Sequence, residues 1–284
     1  MFEQEVNNIF KAKLSDKDFE KLSNFIFTEY GIKMPPVKKT MLQSRLHKRL
    51  RELNFTDFET YVNYVFSKEG QAEVIHMIDV VSTNKTDFFR EPVHFDFLSE
   101  TALPHFIQKF GTRRPLKIWS AGCSSGEEPY SLAFTVNEFK EGYPNLDYSI
   151  LATDISSRIL KSGIEAIYKE QKVGAIPVSL KKKYLLKSKN RENPTVRVIS
   201  NLRKKVIFQR LNFMAEYYDI PEYFDIIFCR NVLIYFDRDT QERVINKLCM
   251  KLRPGGYFFL GHSESITNIQ VPLQQLRPTI FQRK

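Results

Sequence analysis

The sequence predicts an α/β protein in which an all-α N-terminal domain precedes a larger domain built on an open, mostly parallel sheet. Three observations support this fold class. The chain has 284 residues, and roughly 150 residues per domain is typical, so two domains are favoured. Apolar residues recur at helical spacing over about the first ninety residues. From about residue 116, strand-sized apolar runs alternate with helical segments, as in sheets covered by helices on both faces.

The composition indicates a folded chain with a cationic surface. Hydrophobic residues make up 42% of it, with 24 Phe and 13 Tyr, which excludes overall disorder. No apolar run approaches the roughly 20 residues of a membrane-spanning helix, and residues 1–5 lack the pattern of a secretory signal, so we expect a soluble cytoplasmic protein. The cysteines (Cys123, Cys229 and Cys249) are odd in number and widely spaced, which excludes a disulfide framework and a Cys-x-x-Cys metal site.

The net charge of +10 bears on the partner. Such an excess of Lys and Arg favours an anionic partner, which could be nucleic acid, an acidic membrane surface or an acidic protein. A solubilising charge spread over the whole surface would give the same total. Composition alone leaves both interpretations open.

Turn residues divide the N-terminal part into helices. A first amphipathic helix opens at Ser15 and ends near Gly31, and Pro35 and Pro36 break the chain before a second helix that Thr40 can cap. Further helical segments follow at residues 54–65 and 73–81. The second helix has an apolar stripe on one face, and a different face carries basic residues at i, i+3 and i+4 spacing, namely Arg45, Lys48 and Arg49.

From about residue 116 onward, the sequence predicts strands and helices in alternation. The predicted strands are residues 116–120, 148–153, 224–229 and 257–260, and the predicted helices are residues 127–139, 157–162 and 239–252. A segment at about residues 178–208 fits this pattern poorly, and part of it is predicted to be a small antiparallel β insertion. In parallel sheets of this kind ligands bind at the carboxyl ends of the strands.

The turn after the first predicted strand is rich in small residues, at 121–126, and two glutamates follow it. Small residues let a backbone approach a ligand closely. Glu127 and Glu128 would repel a pyrophosphate and suit a cationic ligand that bears an ammonium or a sulfonium. Acidic residues in a first helical turn also simply complement the helix dipole, which is the commoner reason for such a pair.

A second acidic residue limits the chemical class of the predicted ligand. Asp154 falls at the carboxyl end of the second predicted strand, where a carboxylate can accept both hydroxyl protons of a ribose. It could instead cap the next helix. A ribose together with a cationic amino-acid group describes S-adenosylmethionine better than NAD.

Four motifs in series resemble the CheR family of chemotaxis receptor methyltransferases. They are residues 82–91 (STNKTDFFRE), 119–131 (WSAGCSSGEEPYS), 228–236 (FCRNVLIYF) and 261–264 (GHSE). The resemblance covers nearly the whole chain. It implies an all-α N-terminal docking domain with linker at 1–92, and a Rossmann-like S-adenosylmethionine-dependent methyltransferase domain at 93–284 that carries the β insertion. It also implies methyl transfer from S-adenosylmethionine to glutamate side chains of chemoreceptors, with S-adenosylhomocysteine as the product, for sensory adaptation.

The resemblance also implies functional residues. The positions that match the family's cofactor contacts are Asn84, Thr86, Arg90, Glu128, Asp154, Asn212, Phe213, Arg230 and Asn231. A glutamate is already ionised at neutral pH, so methyl transfer to it requires no general base and no metal. The catalytic candidates are therefore Arg90, which would orient a carboxylate, and Tyr235, whose ring face could stabilise the sulfonium or which could be a buried aromatic only. His262 is assigned a structural role.

Basic residues such as Arg45, Lys48 and Arg49 are usually just the solvated face of a helix. Because of the family resemblance, we favour the interpretation that these three dock a partner. The expected partner is the cytoplasmic helical bundle of chemoreceptors, which would recruit this protein, expected to be a monomer, to membrane-embedded receptors. Nucleic acid is not expected, because Cys229 to Val232 replaces the Asn/Asp-Pro-Pro-Tyr type of motif and no base-stacking module is found. A non-catalytic adaptor is a second alternative. The loop at 187–193 is lysine-rich and lacks glycine, which argues against capture of a receptor tether by the insertion.

Overall fold

The computed structural model describes residues 12–284, and its first part is a helical domain. The N-terminal eleven residues of the predicted docking domain, including the segment considered as a secretory signal, lie outside this range. The helices of this domain are α1 (Asp16–Tyr30), α2 (Lys39–Leu53), α3 (Phe58–Val65) and α4 (Gln71–Val81). Their apolar faces meet in one core, in which Leu42, Leu46 and Leu50 of α2 are fully buried.

The ends of these helices follow from local chemistry. The Ser15 hydroxyl accepts from the Asp18 N–H to cap α1, and Gly31 ends that helix in the left-handed conformation at φ 71°. Asp57 caps α3 in the same way. The predicted cap at Thr40 is wrong, because a 3₁₀ turn over Pro36–Lys38 runs directly into α2, which begins one residue earlier at Lys39.

The predicted basic face of α2 is not one exposed surface. Arg49 is buried, and its guanidinium donates to both carboxylate oxygens of Glu73 at 2.7 and 2.6 Å, with Glu52 as a second partner. Arg45 is half-buried and donates to backbone carbonyls at the end of α4. Lys48 is exposed and lies 3.7 Å from Glu52. The expectation of a shared docking face is therefore wrong for Arg49, whose charge is neutralised inside the domain by α4.

The second domain is built on a seven-stranded mixed sheet. Its strand order is β6-β2-β1-β7-β8-β10-β9, with parallel pairing from β6 to β8 and antiparallel pairing of β10 with β8 and β9. The strands are β1 (Leu116–Ala121), β2 (Tyr148–Asp154), β6 (Val206–Arg210), β7 (Phe224–Cys229), β8 (Leu252–Leu260), β9 (Leu273–Arg277) and β10 (Ile280–Arg283). This confirms the predicted open, mostly parallel sheet, which the antiparallel strands β9 and β10 extend at one side.

Helices cover both faces of this sheet. They are α5 (Val93–Phe97), α6 (Leu103–Phe110), α7 (Glu127–Phe139), α8 (Ser157–Glu165) and α11 (Arg238–Lys251). Each face has its own apolar core, one containing Phe134, Phe228 and Phe259 and the other containing Trp119 and Phe258. Alternate residues at 226–229 of β7 and at 257–260 of β8 enter opposite cores, which explains why these two segments are continuous apolar runs.

The β insertion is a separate three-stranded antiparallel sheet in the order β3-β5-β4. Its strands are β3 (Ile167–Lys169), β4 (Leu185–Lys187) and β5 (Thr195–Val198), with helices α9 (Val178–Tyr184) and α10 (Ser200–Arg203) beside them. The predicted range of 178–208 is therefore displaced. The insertion begins at Ile167, and Val206–Arg210 is the edge strand of the main sheet, where it pairs in parallel with β2.

Among residues 12–284, no helix has both the length and the apolar character needed to cross a membrane.

Candidate active site

A cavity of about 360 Å³ lies where the carboxyl ends of β1, β2 and β7 face the helical domain. Its volume falls in the range of roughly 300–1,000 Å³ that is usual for small-molecule sites. The sheet contributes the turns that follow the three strands, and the segment 81–87 with Arg90 forms one wall. The helical domain forms the opposite wall through Tyr30, Ile32, Met34, Lys38 and Met41. The site is thus built between the two domains.

The glycine turn after β1 brings two loops into contact. Gly122 has φ 87°, and a Cβ at this position would lie 2.2 Å from Cγ2 of Val232 in the turn after β7. The N–H groups of Gly122 and Cys123 both donate to the Thr153 carbonyl, at 2.7 and 2.9 Å. The turn is therefore tied to β2 on one side and packed against the β7 turn on the other.

Asp154 is a buried carboxylate at the end of β2. Its two oxygens accept from the backbone N–H groups of Ser124, at 2.9 Å, and Ser156, at 3.0 Å. Burial raises the pKa of Asp154, and these backbone hydrogen bonds act in the opposite direction. Each carboxylate oxygen keeps a second lone pair. Asp154 therefore shapes the glycine turn and can still accept from a ligand's hydroxyl groups.

The two glutamates after Gly126 point to different places. Glu127 is fully buried and pairs with Lys172 at 3.2 Å, on the side of the β insertion. Glu128 lines the cavity, where it accepts from the Ser120 hydroxyl at 2.7 Å and lies 3.4 Å from Arg230. Burial raises the pKa of Glu128, and the positive charge of Arg230 opposes that rise. Of the pair, Glu128 is the one placed to meet a cationic ligand.

Arg230 is a nearly fully buried guanidinium that joins the linker to the end of β7. It lies 3.0 Å from the carboxylate of Glu91 and donates to the backbone carbonyl of Arg90. Phe89 and Glu91, on either side of Arg90, both adopt left-handed backbone conformations, with φ of 52° and 57°. Such conformations cost roughly 1–3 kcal/mol each and persist where the surroundings fix them. Arg230 is one of the groups that fixes Arg90 at the cavity.

Residues after β6 and β7 complete the wall and contact the helical domain. The side-chain amide of Asn212 donates to the Glu29 carbonyl at 2.8 Å. The N–H of Lys33 donates to the carbonyl of Tyr235 at 3.1 Å. Phe213 is buried in the core beside the sheet and also lines the cavity.

The ten residues expected to bind cofactor or act in catalysis all line this one cavity. They are Asn84, Thr86, Arg90, Glu128, Asp154, Asn212, Phe213, Arg230, Asn231 and Tyr235. Their contacts with a cofactor stay a prediction. The sequence reasoning missed the wall formed by the helical domain, because apolar residues such as Ile32 and Met34 carry no motif.

Glu91, His94 and His262 form a second cluster next to the cavity. One ligand atom of each lies within 4.8 Å of the others. Burial, with a smaller contribution from Arg230, lowers the pKa of His94 to about 4, so this imidazole is neutral near pH 7. The Glu91 carboxylate is paired with the Arg230 guanidinium, and that positive charge opposes a metal cation at the same oxygen. Within the cluster Glu91 is thus engaged by Arg230, His94 is buried and neutral, and His262 is exposed.

Comparison with known proteins matches nearly the whole chain to two family models. Residues 84–281 match the CheR methyltransferase, SAM binding domain, and residues 17–82 match the CheR methyltransferase, all-alpha domain. A chemotaxis protein methyltransferase of Borreliella burgdorferi is 38% identical over 97% of this chain and 95% of that protein. One of Escherichia coli K12 is 35% identical over 92% of this chain and 88% of that protein.

Solved methyltransferase structures resemble the chain more weakly. The glycopeptide N-methyltransferase MtfA complexed with S-adenosylmethionine is 11% identical, with a TM-score of 0.36, over 75% of this chain and 68% of that one. The functional assignment therefore depends on the sequence families and on the cavity. The all-α domain, the S-adenosylmethionine-binding domain and their order along the chain are those of one family. The chain belongs to the CheR methyltransferase family and is an S-adenosylmethionine-dependent methyltransferase of chemotaxis.

Proposed function

We propose that this protein transfers the methyl group of S-adenosylmethionine to glutamate carboxylates on the cytoplasmic helical bundle of chemoreceptors. The products are glutamate methyl ester and S-adenosylhomocysteine. The observation that carries this substrate class is the charge pattern of the cavity. Glu128 and Asp154 accept hydrogen bonds from within the chain, and the other charged side chains that line the cavity are one carboxylate, Asp87, and four basic groups, those of Lys38, Lys85, Arg90 and Arg230. Such a site favours an acceptor that arrives as an anion and needs no base.

The chemistry fits these residues. When bound, S-adenosylmethionine supplies a methyl group on a sulfonium, which an ionised glutamate with a pKa near 4.3 attacks without losing a proton. Asp154 would hold the ribose hydroxyls, and Glu128 the ammonium of the methionine part. Tyr235 would place its ring face near the sulfonium. The main task of the chain is then to align and desolvate two opposite charges, and alignment can be worth roughly 7–11 kcal/mol.

Docking is proposed to involve the exposed charge of Lys48 on α2, together with its exposed neighbour Arg51. The receptor bundle carries the acceptor glutamates and would offer the complementary acidic surface. The protein would thus act in the cytoplasm as a monomer recruited to membrane-embedded receptors. Arg49 has no part in this surface, because its charge is paired with Glu73 inside the helical domain.

The test is methylation of receptor-rich membranes with tritiated S-adenosylmethionine. We expect label in the receptor that mild base releases as methanol, as a methyl ester requires. Membranes without receptors are the control. Label that resists base, or that appears in added RNA instead of the receptor, would contradict glutamate methylation, and cofactor binding without any transfer would favour the adaptor alternative.

Arg90 offers a sharper test of the mechanism. Its guanidinium donates to the Lys85 carbonyl at 3.2 Å and lines the cavity, so Arg90→Ala removes a charge without opening a core. We expect turnover to fall at least about tenfold, which corresponds to about 1.4 kcal/mol, with little change in melting temperature. Arg113→Ala, at the exposed end that precedes β1, is the control.

Binding of S-adenosylhomocysteine to Arg90→Ala separates two roles. Unchanged affinity would assign Arg90 to the receptor glutamate, and weakened affinity would assign it to the cofactor carboxylate. Near-normal turnover would show that Arg90 orients neither group.

A further inference from the structure

A single buried carboxylate organises the turn after β7. Glu264 accepts from four backbone N–H groups, two on each oxygen. Oε2 accepts from Gly261 at 2.7 Å and Asn231 at 2.8 Å, and Oε1 accepts from Val232 and Leu233, both at 2.8 Å. The side chain is 8% exposed. Three consecutive amides of one turn thus converge on a group located about thirty residues later in the chain.

The turn needs such a partner. Asn231 adopts a left-handed conformation at φ 59°, and a 3₁₀ turn at Leu233–Tyr235 begins two residues later. The consecutive N–H groups of a turn of this kind point to one side and form a concave anion site. Burial raises the pKa of Glu264, and the four N–H donors act in the opposite direction. The carboxylate supplies the acceptors that the sheet cannot provide at this point.

The same turn forms a wall of the cofactor cavity. Asn231, Val232, Ile234 and Tyr235 all line the cavity, whereas Glu264 does not. Gly261 connects the two loops closely, since a Cβ there would lie 2.4 Å from the side-chain nitrogen of Asn231. Any shift of the Glu264 carboxylate would therefore move the wall and not merely the loop that carries Glu264.

We propose that Glu264 is a positioning residue, which holds the turn at 230–235 in the conformation that binds S-adenosylmethionine. This inference rests on the assignment of the cavity to that cofactor, and it is independent of the methyl acceptor. If the wild-type protein binds S-adenosylhomocysteine but forms no methyl ester, the proposed acceptor fails and this inference is unaffected.

The test is the variant Glu264→Gln, which replaces one acceptor oxygen with an NH₂ group that faces two backbone N–H donors. We expect binding of S-adenosylhomocysteine, measured by calorimetry, to weaken at least about tenfold. Hydrogen exchange of the amides of residues 231–233 should become faster. Glu264→Asp retains both oxygens and should recover part of the affinity if it folds.

Two matched controls separate positioning from general stability. Glu242→Gln makes the same change at an exposed carboxylate of α11 that accepts from one backbone N–H, that of Gln270. Glu73→Gln makes it at a buried carboxylate of the helical domain that pairs with Arg49 and does not line the cavity. Both controls should bind S-adenosylhomocysteine with wild-type affinity, even where Glu73→Gln lowers the melting temperature.

Three outcomes would overturn the proposal. The first is a folded Glu264→Gln protein whose affinity is within twofold of wild type. The second is an equal loss of affinity in Glu73→Gln at an equal loss of melting temperature. The third is failure of both Glu264 variants to fold, which would make Glu264 a requirement of the fold instead of the site.

Discussion

At the scale of single residues, Asp154 combines two tasks that are usually separate. Its carboxylate accepts from two backbone amides that shape the loops after β1 and β2, and it faces the cavity. From the sequence alone, Asp154 could either accept from a ribose or cap the next helix. The cap of α8 is in fact the Ser156 side chain, which accepts from the Ile159 N–H, and this leaves Asp154 for the site.

The variant Asp154→Asn tests this assignment. An amide in place of the carboxylate removes a charged acceptor, and such hydrogen bonds contribute about 1.5–3 kcal/mol. We therefore expect the dissociation constant for S-adenosylhomocysteine to rise by about 10- to 150-fold in calorimetry. Asp57→Asn, which makes the same change at the exposed cap of α3, should bind normally. Unchanged affinity in Asp154→Asn would refute a contact with the ribose.

His94 gives a prediction for pH. Burial lowers the pKa of this imidazole from 6.5 to about 4 in the folded protein. Below pH 6.5 the unfolded chain therefore binds a proton that the folded chain does not. The free energy of unfolding should fall as the pH drops from about 6.5 to about 4, by at most about 3 kcal/mol from this group.

Urea unfolding at several pH values measures the effect of His94. In His94→Gln, which can still donate toward Thr279, the dependence between pH 6.5 and 4 should be shallower than in wild type. The exposed His76→Gln is the control and should keep the wild-type slope. Equal slopes in all three proteins would mean that His94 does not titrate differently in the folded state.

At the scale of elements, α2 carries a basic residue that the sequence pattern predicts to be exposed but that is buried in the structure. Arg49 lies on the side of the helix that packs against α4, where Glu73 receives it with two hydrogen bonds and Tyr61 donates to the same carboxylate at 3.0 Å. Removing one partner of a buried pair leaves an uncompensated charge. Such losses cost about 3–5 kcal/mol.

We therefore expect Arg49→Ala to lower the free energy of unfolding by about 3–5 kcal/mol, measured in urea. Lys48→Ala, one residue earlier on the same helix, should change it by less than about 1 kcal/mol, since its pair with Glu52 is solvent-exposed. Similar stability of the two variants would show that the Arg49 pair contributes nothing net.

At the scale of the whole molecule, the two domains share one site. Asn212 bonds to the end of α1, Lys33 bonds to Tyr235, and the Ser124 hydroxyl donates to the Asn84 carbonyl at 2.9 Å. Gly31 lies so close to the second domain that a Cβ would be 2.8 Å from the ring of Phe236. The helical domain therefore forms part of the candidate cofactor cavity as well as the proposed docking surface.

Charge at the surface of the whole molecule should govern the encounter with the receptor. The double variant Lys48→Glu/Arg51→Glu should raise the KM for receptor and leave the affinity for S-adenosylhomocysteine unchanged, since neither residue lines the cavity. Wild-type activity should fall with added salt, because exposed charges are screened over roughly 8 Å at physiological ionic strength. The activity of the double variant should fall less with added salt.

The matched control is the double variant Lys109→Glu/Arg113→Glu. It makes the same change in charge at two exposed residues just before β1, at the amino ends of the strands and so on the side opposite the cavity. It should keep the wild-type KM. Equal KM values and equal salt dependence in all three proteins would mean that α2 is only a solvated face.

The sequence by itself determined the fold class, and the family resemblance named ten residues that line the cavity, but not the wall that the helical domain contributes. Apolar periodicity assigns helices and strands, and three of the four motifs lie at strand ends, which meet on one side of a parallel sheet. For this reason the order of residues along the chain is enough to place Asp154, Arg230 and the turn after β1 together. The boundaries of the β insertion were less determined, because an edge strand such as Val206–Arg210 has the same pattern in either sheet.

Only the tertiary structure decided which buried polar groups meet. It pairs Arg49 with Glu73 and brings four backbone amides to Glu264, and these partners are distant in sequence. It also directs the adjacent Glu127 and Glu128 to different partners, although the sequence pattern does not distinguish them. Periodicity reports whether a side chain faces a core. It carries no information about the partner there, because that partner is chosen by the packing of separate elements.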